Sequence, residues 1–74
     1  MAEEMVRIEV ALDGGQILSA LVTQASADAV DRHLRANSSG TAELQSEDGT
    51  IVLVLPRVLY LKRFARETRV GFKA

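Results

Sequence analysis

Cysteine is absent from the sequence. That excludes disulfide staples and thiolate metal sites, and it fits a reducing compartment. Histidine occurs once, as His33. One imidazole with scattered carboxylates makes a poor metal site, and Asp31 and His33, two apart, do not share a helix face. No metal is expected, and no cofactor. A long apolar run is also missing. A membrane-spanning helix needs about 20 apolar residues, whereas the longest stretch, from Ile51 to Leu61, is interrupted by Pro56 and Arg57. The first residues, MAEEMVRIEV, carry acids where a secretory leader needs Lys or Arg. These absences lead us to expect a soluble, cytoplasmic protein that makes no use of a membrane.

Catalytic signatures are equally scarce. His33, Ser38 and Ser39 suggest a base and a nucleophile, but nothing marks an orienting acid or an oxyanion hole. Asp13-Gly14-Gly15 and Ser38-Ser39-Gly40-Thr41 carry glycine without matching a phosphate-cradling pattern. Turn and helix-stop duties account for both. The expectation is a protein that is not an enzyme, the alternative being a site assembled between subunits.

The residues that are present describe a single small α+β domain over 1–74, at a size where one core is only just adequate. Val6, Ile8, Val10 and Leu12 alternate with period two and predict a half-buried strand. Asp13-Gly14-Gly15 predicts a hairpin turn. A second strand follows over 16–22, with Ile17 and Leu21 on one face and Leu18, Ala20 and Val22 on the other. Ala27, Val30 and Leu34 then recur at helical spacing. Ser26 is the expected N-cap, with Asp28 in the first turn, and Asn37 or Gly40 takes the left-handed cap. Strands are predicted over 41–46 and 50–55, joined by a turn at Glu47-Asp48-Gly49.

Pro56 breaks the pattern, and two readings compete over 57–68. Helix propensity favours a helix carrying a stripe of Val58, Leu61 and Ala65. Tyr60, Phe64 and the later Val70-Gly71-Phe72 favour a strand, a turn at 65–68 and a short last strand at 70–72. We adopt the strand. The resulting order is strand-strand-helix-strand-strand-strand, a curved antiparallel sheet of about five strands with one helix.

The sheet is over-supplied with apolar residues. Ile51, Leu53 and Leu55 face one way while Val52 and Val54 face the other, and strands apolar on both faces need cover on both. A helix of about 11 residues is about 16 Å long and shields one side. Each Val or Leu left in water forfeits roughly 1.5–3 kcal/mol. Three covers are conceivable: a rolled sheet, a helix at 57–68, or a second molecule. The last points to a homodimer or higher homo-oligomer, or another protein partner, with Val52, Val54, Leu18 and Val22 as candidate contacts.

Charge adds a competing reading. Residues 1–55 sum to −6 and residues 56–74 to +5. The two ends can neutralise each other within one fold or across a dimer, or the basic end can meet an anion. Tyr60, Lys62, Arg63, Phe64, Arg66, Arg69 and Lys73 are candidate contacts for such a partner. Tyr60, Lys62 and Phe64 share one strand face, the way a sheet offers stacking rings amid positive charge to single-stranded nucleic acid.

Glu47-Asp48-Gly49, Val58-Leu59-Tyr60-Leu61 and Arg69-Val70-Gly71-Phe72 give the segment 44–72 a resemblance to a family of short, uncharacterised, commonly actinobacterial proteins. The chain departs from that pattern at Asp13-Gly14-Gly15 and at the basic Lys62-Arg63. The resemblance implies a strand at 58–64 and assigns no role to any residue. The preferred expectation is a small self-associating binding, regulatory or accessory module. The alternative is a nucleic-acid binder using 57–73.

Overall fold

The computed structural model describes residues 4–64. Five strands and one helix follow in the order β1 (Met5–Leu12), β2 (Ile17–Thr23), α1 (Gln24–Arg35), β3 (Thr41–Ser46), β4 (Gly49–Val54) and β5 (Val58–Arg63). The α+β class and the element order match expectation. Pro56 lies in a single 3-10 turn, Leu55–Arg57, and a strand rather than a helix follows it. The turn and last strand expected over 65–72 lie outside the described residues.

The strands form one antiparallel sheet ordered β4-β3-β2-β1-β5. The link between β4 and β5 constrains its shape. Those two strands are at opposite edges, yet only three residues join them. Val54 and Val58 are four Cα steps apart, at most about 15 Å, whereas a flat five-stranded sheet is about 19 Å wide. The sheet therefore curls, bringing its two edges together at one end. The Asp13 N–H donates to the Arg57 carbonyl (2.8 Å), fastening the connecting turn to the tip of the β1–β2 hairpin.

The inside of the curl is the core. Ile8, Val10, Val22, Leu44 and, from the helix, Val30 are fully buried, with Ala27, Ala42, Leu53 and Leu55 around them. Alternation along each strand assigns these side chains to one face, and α1 closes over it. The helix begins three residues earlier than the sequence suggests. Thr23 is the N-cap, its Oγ1 accepting from the Ser26 N–H at 3.1 Å. Ser26 is buried instead of capping: its Oγ donates to the Thr23 carbonyl (3.0 Å) and accepts from the Gln45 N–H of β3 (3.1 Å). Asp28 thus lies past the first turn, where it pairs with Arg63. At the other end Asn37 takes the left-handed conformation (φ 57°). Its N–H donates to the Leu34 carbonyl and that of Ser38 to the His33 carbonyl, the paired closure that ends many helices.

One seam is thin. β2 and β3 share a single register pair, Val22 with Ser46. Beside it the Glu47 N–H donates to the Leu21 carbonyl at 3.2 Å, and the Ser26–Gln45 bond supplies the other stitch.

Candidate interaction surface

α1 covers the inner face, and no other described helix covers the outer one. On the β2-β1-β5 side the register sets its side chains in rows. Ile17, Ala11 and Tyr60 form one row, and Ser19, Glu9 and Lys62 the next. Leu21 and Arg7 follow, beside Phe64, whose N–H donates to the Arg7 carbonyl (2.9 Å). On the other side Thr41 pairs with Val54, Glu43 with Val52, and Gln45 with Thr50.

Among the described residues the large apolar side chains in water are Ile17 (61% exposed), Val52 (57%), Val54 (51%), Leu59 (67%) and Tyr60 (44%). Four of these five belong to the outer face. Leu59 sits beside the register shift opposite Ala11 and Leu12, where β5 accommodates an extra residue.

The candidate contacts read from sequence divide between the two faces. Val52 and Val54 are on the outer one. Leu18 and Val22 are not: Val22 is fully buried and Leu18 half-buried against the core, because α1 departs directly from β2 and folds back over their side. A surface built on Val52 and Val54 cannot include them. The β2 residue that joins the exposed outer set is Ile17. Sequence alternation placed it opposite Leu18 but gave no means of telling which of those faces the helix would take.

The basic candidates divide in the same way. Tyr60, Lys62 and Phe64 share the outer face as expected, and the Lys62 Nζ lies 4.7 Å from the Phe64 ring centroid. Arg63 points to the inner side, where its Nη2 donates to Asp28 of α1. Its guanidinium holds β5 to the helix and is turned away from that strip. Arg66, Arg69 and Lys73 lie outside the described residues. Arg57 is held by Asp13 at 3.2 Å. Arg7, which the sequence did not single out, is exposed in the row of Phe64. Among the described residues neither Arg7 nor Lys62 makes an ion pair.

One acid interrupts this strip. The Tyr60 hydroxyl donates to the Glu9 Oε2 at 2.6 Å, and that bond to a carboxylate raises the phenol pKa above its ordinary 10.0. Exposed ion pairs such as Asp31–Arg35 and Asp13–Arg57 contribute at most about 1 kcal/mol each. They set local geometry more than stability.

Clefts are shallow and open. One of about 570 Å³ runs between the C-terminal end of α1 and β5, lined by Leu34, Leu55, Val58 and Leu61. Asp31, Ser38, Ser39 and Tyr60 also line it. His33 is exposed, and the described residues contain no cluster of three or more carboxylate or imidazole groups able to hold a metal. No described helix is long and apolar enough to cross a membrane. Comparison with protein-family models, with curated proteins and with solved structures finds no match to this chain.

Proposed function

We propose that this protein is a small self-associating module that acts by binding rather than by catalysis. One observation carries the reading. After the sheet has curled and the helix has closed, Val52 and Val54 still stand 57% and 51% exposed, next to each other on one strand. A chain of 74 residues has little core to spare. Covering two valines returns a share of the roughly 1.5–3 kcal/mol each forfeits in water. Two-fold homodimers are the commonest way to supply such cover.

The test is molecular mass by light scattering after size-exclusion chromatography, for the native chain and for Val54→Asp. The native chain is expected above its monomer mass of 8.0 kDa, and the variant, folded by circular dichroism, at that mass. A variant that stays folded and keeps the native size removes Val54 from the contact.

A second reading, recognition of single-stranded nucleic acid, is favoured by the shared outer face of Tyr60, Lys62 and Phe64. Rings flanking a cation are what base stacking and phosphate contact require. Titrating a fluorescent oligonucleotide at two salt concentrations decides it. Binding should weaken as salt rises and fall further in Lys62→Ala. Absence of binding at low salt removes the reading.

A further inference from the structure

We infer that a second copy of this chain pairs with the free edge of β4, antiparallel about a two-fold axis, so that the sheet continues from one subunit into the other. The inference rests on the self-association reading and specifies its contact. Along an antiparallel strand, successive residues turn their N–H and C=O alternately to one neighbour and to the opposite side. The Leu55 N–H donates to the Gly40 carbonyl at 2.9 Å, next to the Thr41–Val54 pair. That fixes the alternation: Ile51 and Leu53 bond to β3, while Thr50, Val52 and Val54 direct their backbone outward. Among the described residues the sheet has no further strand beyond β4.

The two edges of the sheet are not equivalent. Exposed edges are commonly guarded by charge, proline or a bulge. β5 has two of these devices, Lys62-Arg63 and the register shift beside Leu59. β4 has neither within its six residues, Gly49-Thr50-Ile51-Val52-Leu53-Val54, which are uncharged and largely β-branched. It is the strand with a bare ladder and exposed valines together.

Charge and symmetry select a second copy as the occupant. A two-fold axis at Val52 sets Val52 against its counterpart and Thr50 against Val54, neutral against neutral, so that no unpaired charge is buried. Arg57 and Asp13 flank a cleft of about 260 Å³ beside Val52–Val54 and neutralise each other, while Glu43, the cross-strand neighbour of Val52, belongs to β3, one strand in from the edge. A charged partner strand would find nothing to pair with on β4 itself. The strand is only about 20 Å long, a contact below the roughly 800 Å² per partner of a standard stable interface. The dimer is therefore weak and concentration-dependent.

Proline at position 52 is the discriminating substitution. It deletes the outward N–H alone and leaves the ladder to β3 complete. Val52→Lys places like charges on the axis, and Ile17→Lys alters the outer face away from β4. Sedimentation measures mass and circular dichroism checks folding, while amide exchange by NMR follows Thr50, Val52 and Val54 in the native chain. The expected results are slower exchange at those three amides as concentration rises, loss of the dimer in both folded position-52 variants, and a native-sized dimer in Ile17→Lys. Should Val52→Pro fail to fold, Val52→Lys decides. A dimer that survives the position-52 change overturns the β4 assignment while leaving self-association intact, as does an assembly larger than a dimer. A native chain that is monomeric at every concentration overturns both.

Discussion

The hydroxyl of Ser26 joins three segments at once. It accepts from Thr23 Oγ1 and from the Gln45 N–H, and it donates to the Thr23 carbonyl. Removing it strands the Gln45 N–H at the seam between β2 and β3. Ser26→Ala should therefore cost about 1–3 kcal/mol, read from the urea midpoint at unchanged slope. At the opposite edge, Tyr60 is the only tyrosine and tryptophan is absent, so ultraviolet titration reports this phenol alone. Its bond to Glu9 favours the neutral form and raises its pKa. The stabilisation from that bond is complete below the unfolded-state pKa and fades as pH climbs through the folded-state value. Glu9→Ala should bring the titration midpoint down toward that of free tyrosine. An unchanged midpoint would mean that the carboxylate does not hold the hydroxyl in solution.

Among the elements, those governed by local periodicity were readable in advance. Alternation from Val6 to Leu12, the Asp13-Gly14-Gly15 turn and the paired apolar positions Ala42 and Leu44 all hold in the structure. The strand after Pro56 was ambiguous because Leu, Lys and Arg favour a helix there. Pairing with β1, which propensity cannot see, decides it. The helix start was misread for a similar reason: Thr23 and Ser26 are both good caps, and only contact with Gln45 draws Ser26 inward. Choosing which face of β2 the helix covers needs the folded chain, and so Leu18 and Val22 looked like surface contacts when Val22 belongs to the core and Leu18 packs half-buried against it. The helix stop was legible as a left-handed cap at Asn37 or Gly40, and it is Asn37, with its positive φ, that closes the helix. A side chain without a carboxamide is disfavoured there, and Asn37→Ala should cost about 1 kcal/mol, with Asn37→Gly nearly neutral by the same unfolding measurement.

For the molecule as a whole, curling explains how so small a chain forms a core at all. The three-residue link between the edge strands forces the sheet around Ile8, Val10, Val22 and Leu44, and α1 closes what remains. Leu44 is fully buried in that centre, and Leu44→Ala should cost about 2–5 kcal/mol, enough to threaten folding in a domain of ordinary stability. The β2–β3 seam divides the fold unevenly. Native-state hydrogen exchange should show the β3–β4 hairpin opening at lower free energy than β1 and β2. Uniform exchange across all strands would make the seam as strong as the rest.

What curling leaves unfinished is the uncharged edge with Val52 and Val54 in water, and the proposed association follows from it. Sedimentation equilibrium of the unmodified chain over a wide concentration range tests this most directly. The average mass should climb from 8.0 kDa toward twice that value as concentration increases. A mass fixed at the monomer value throughout would contradict it.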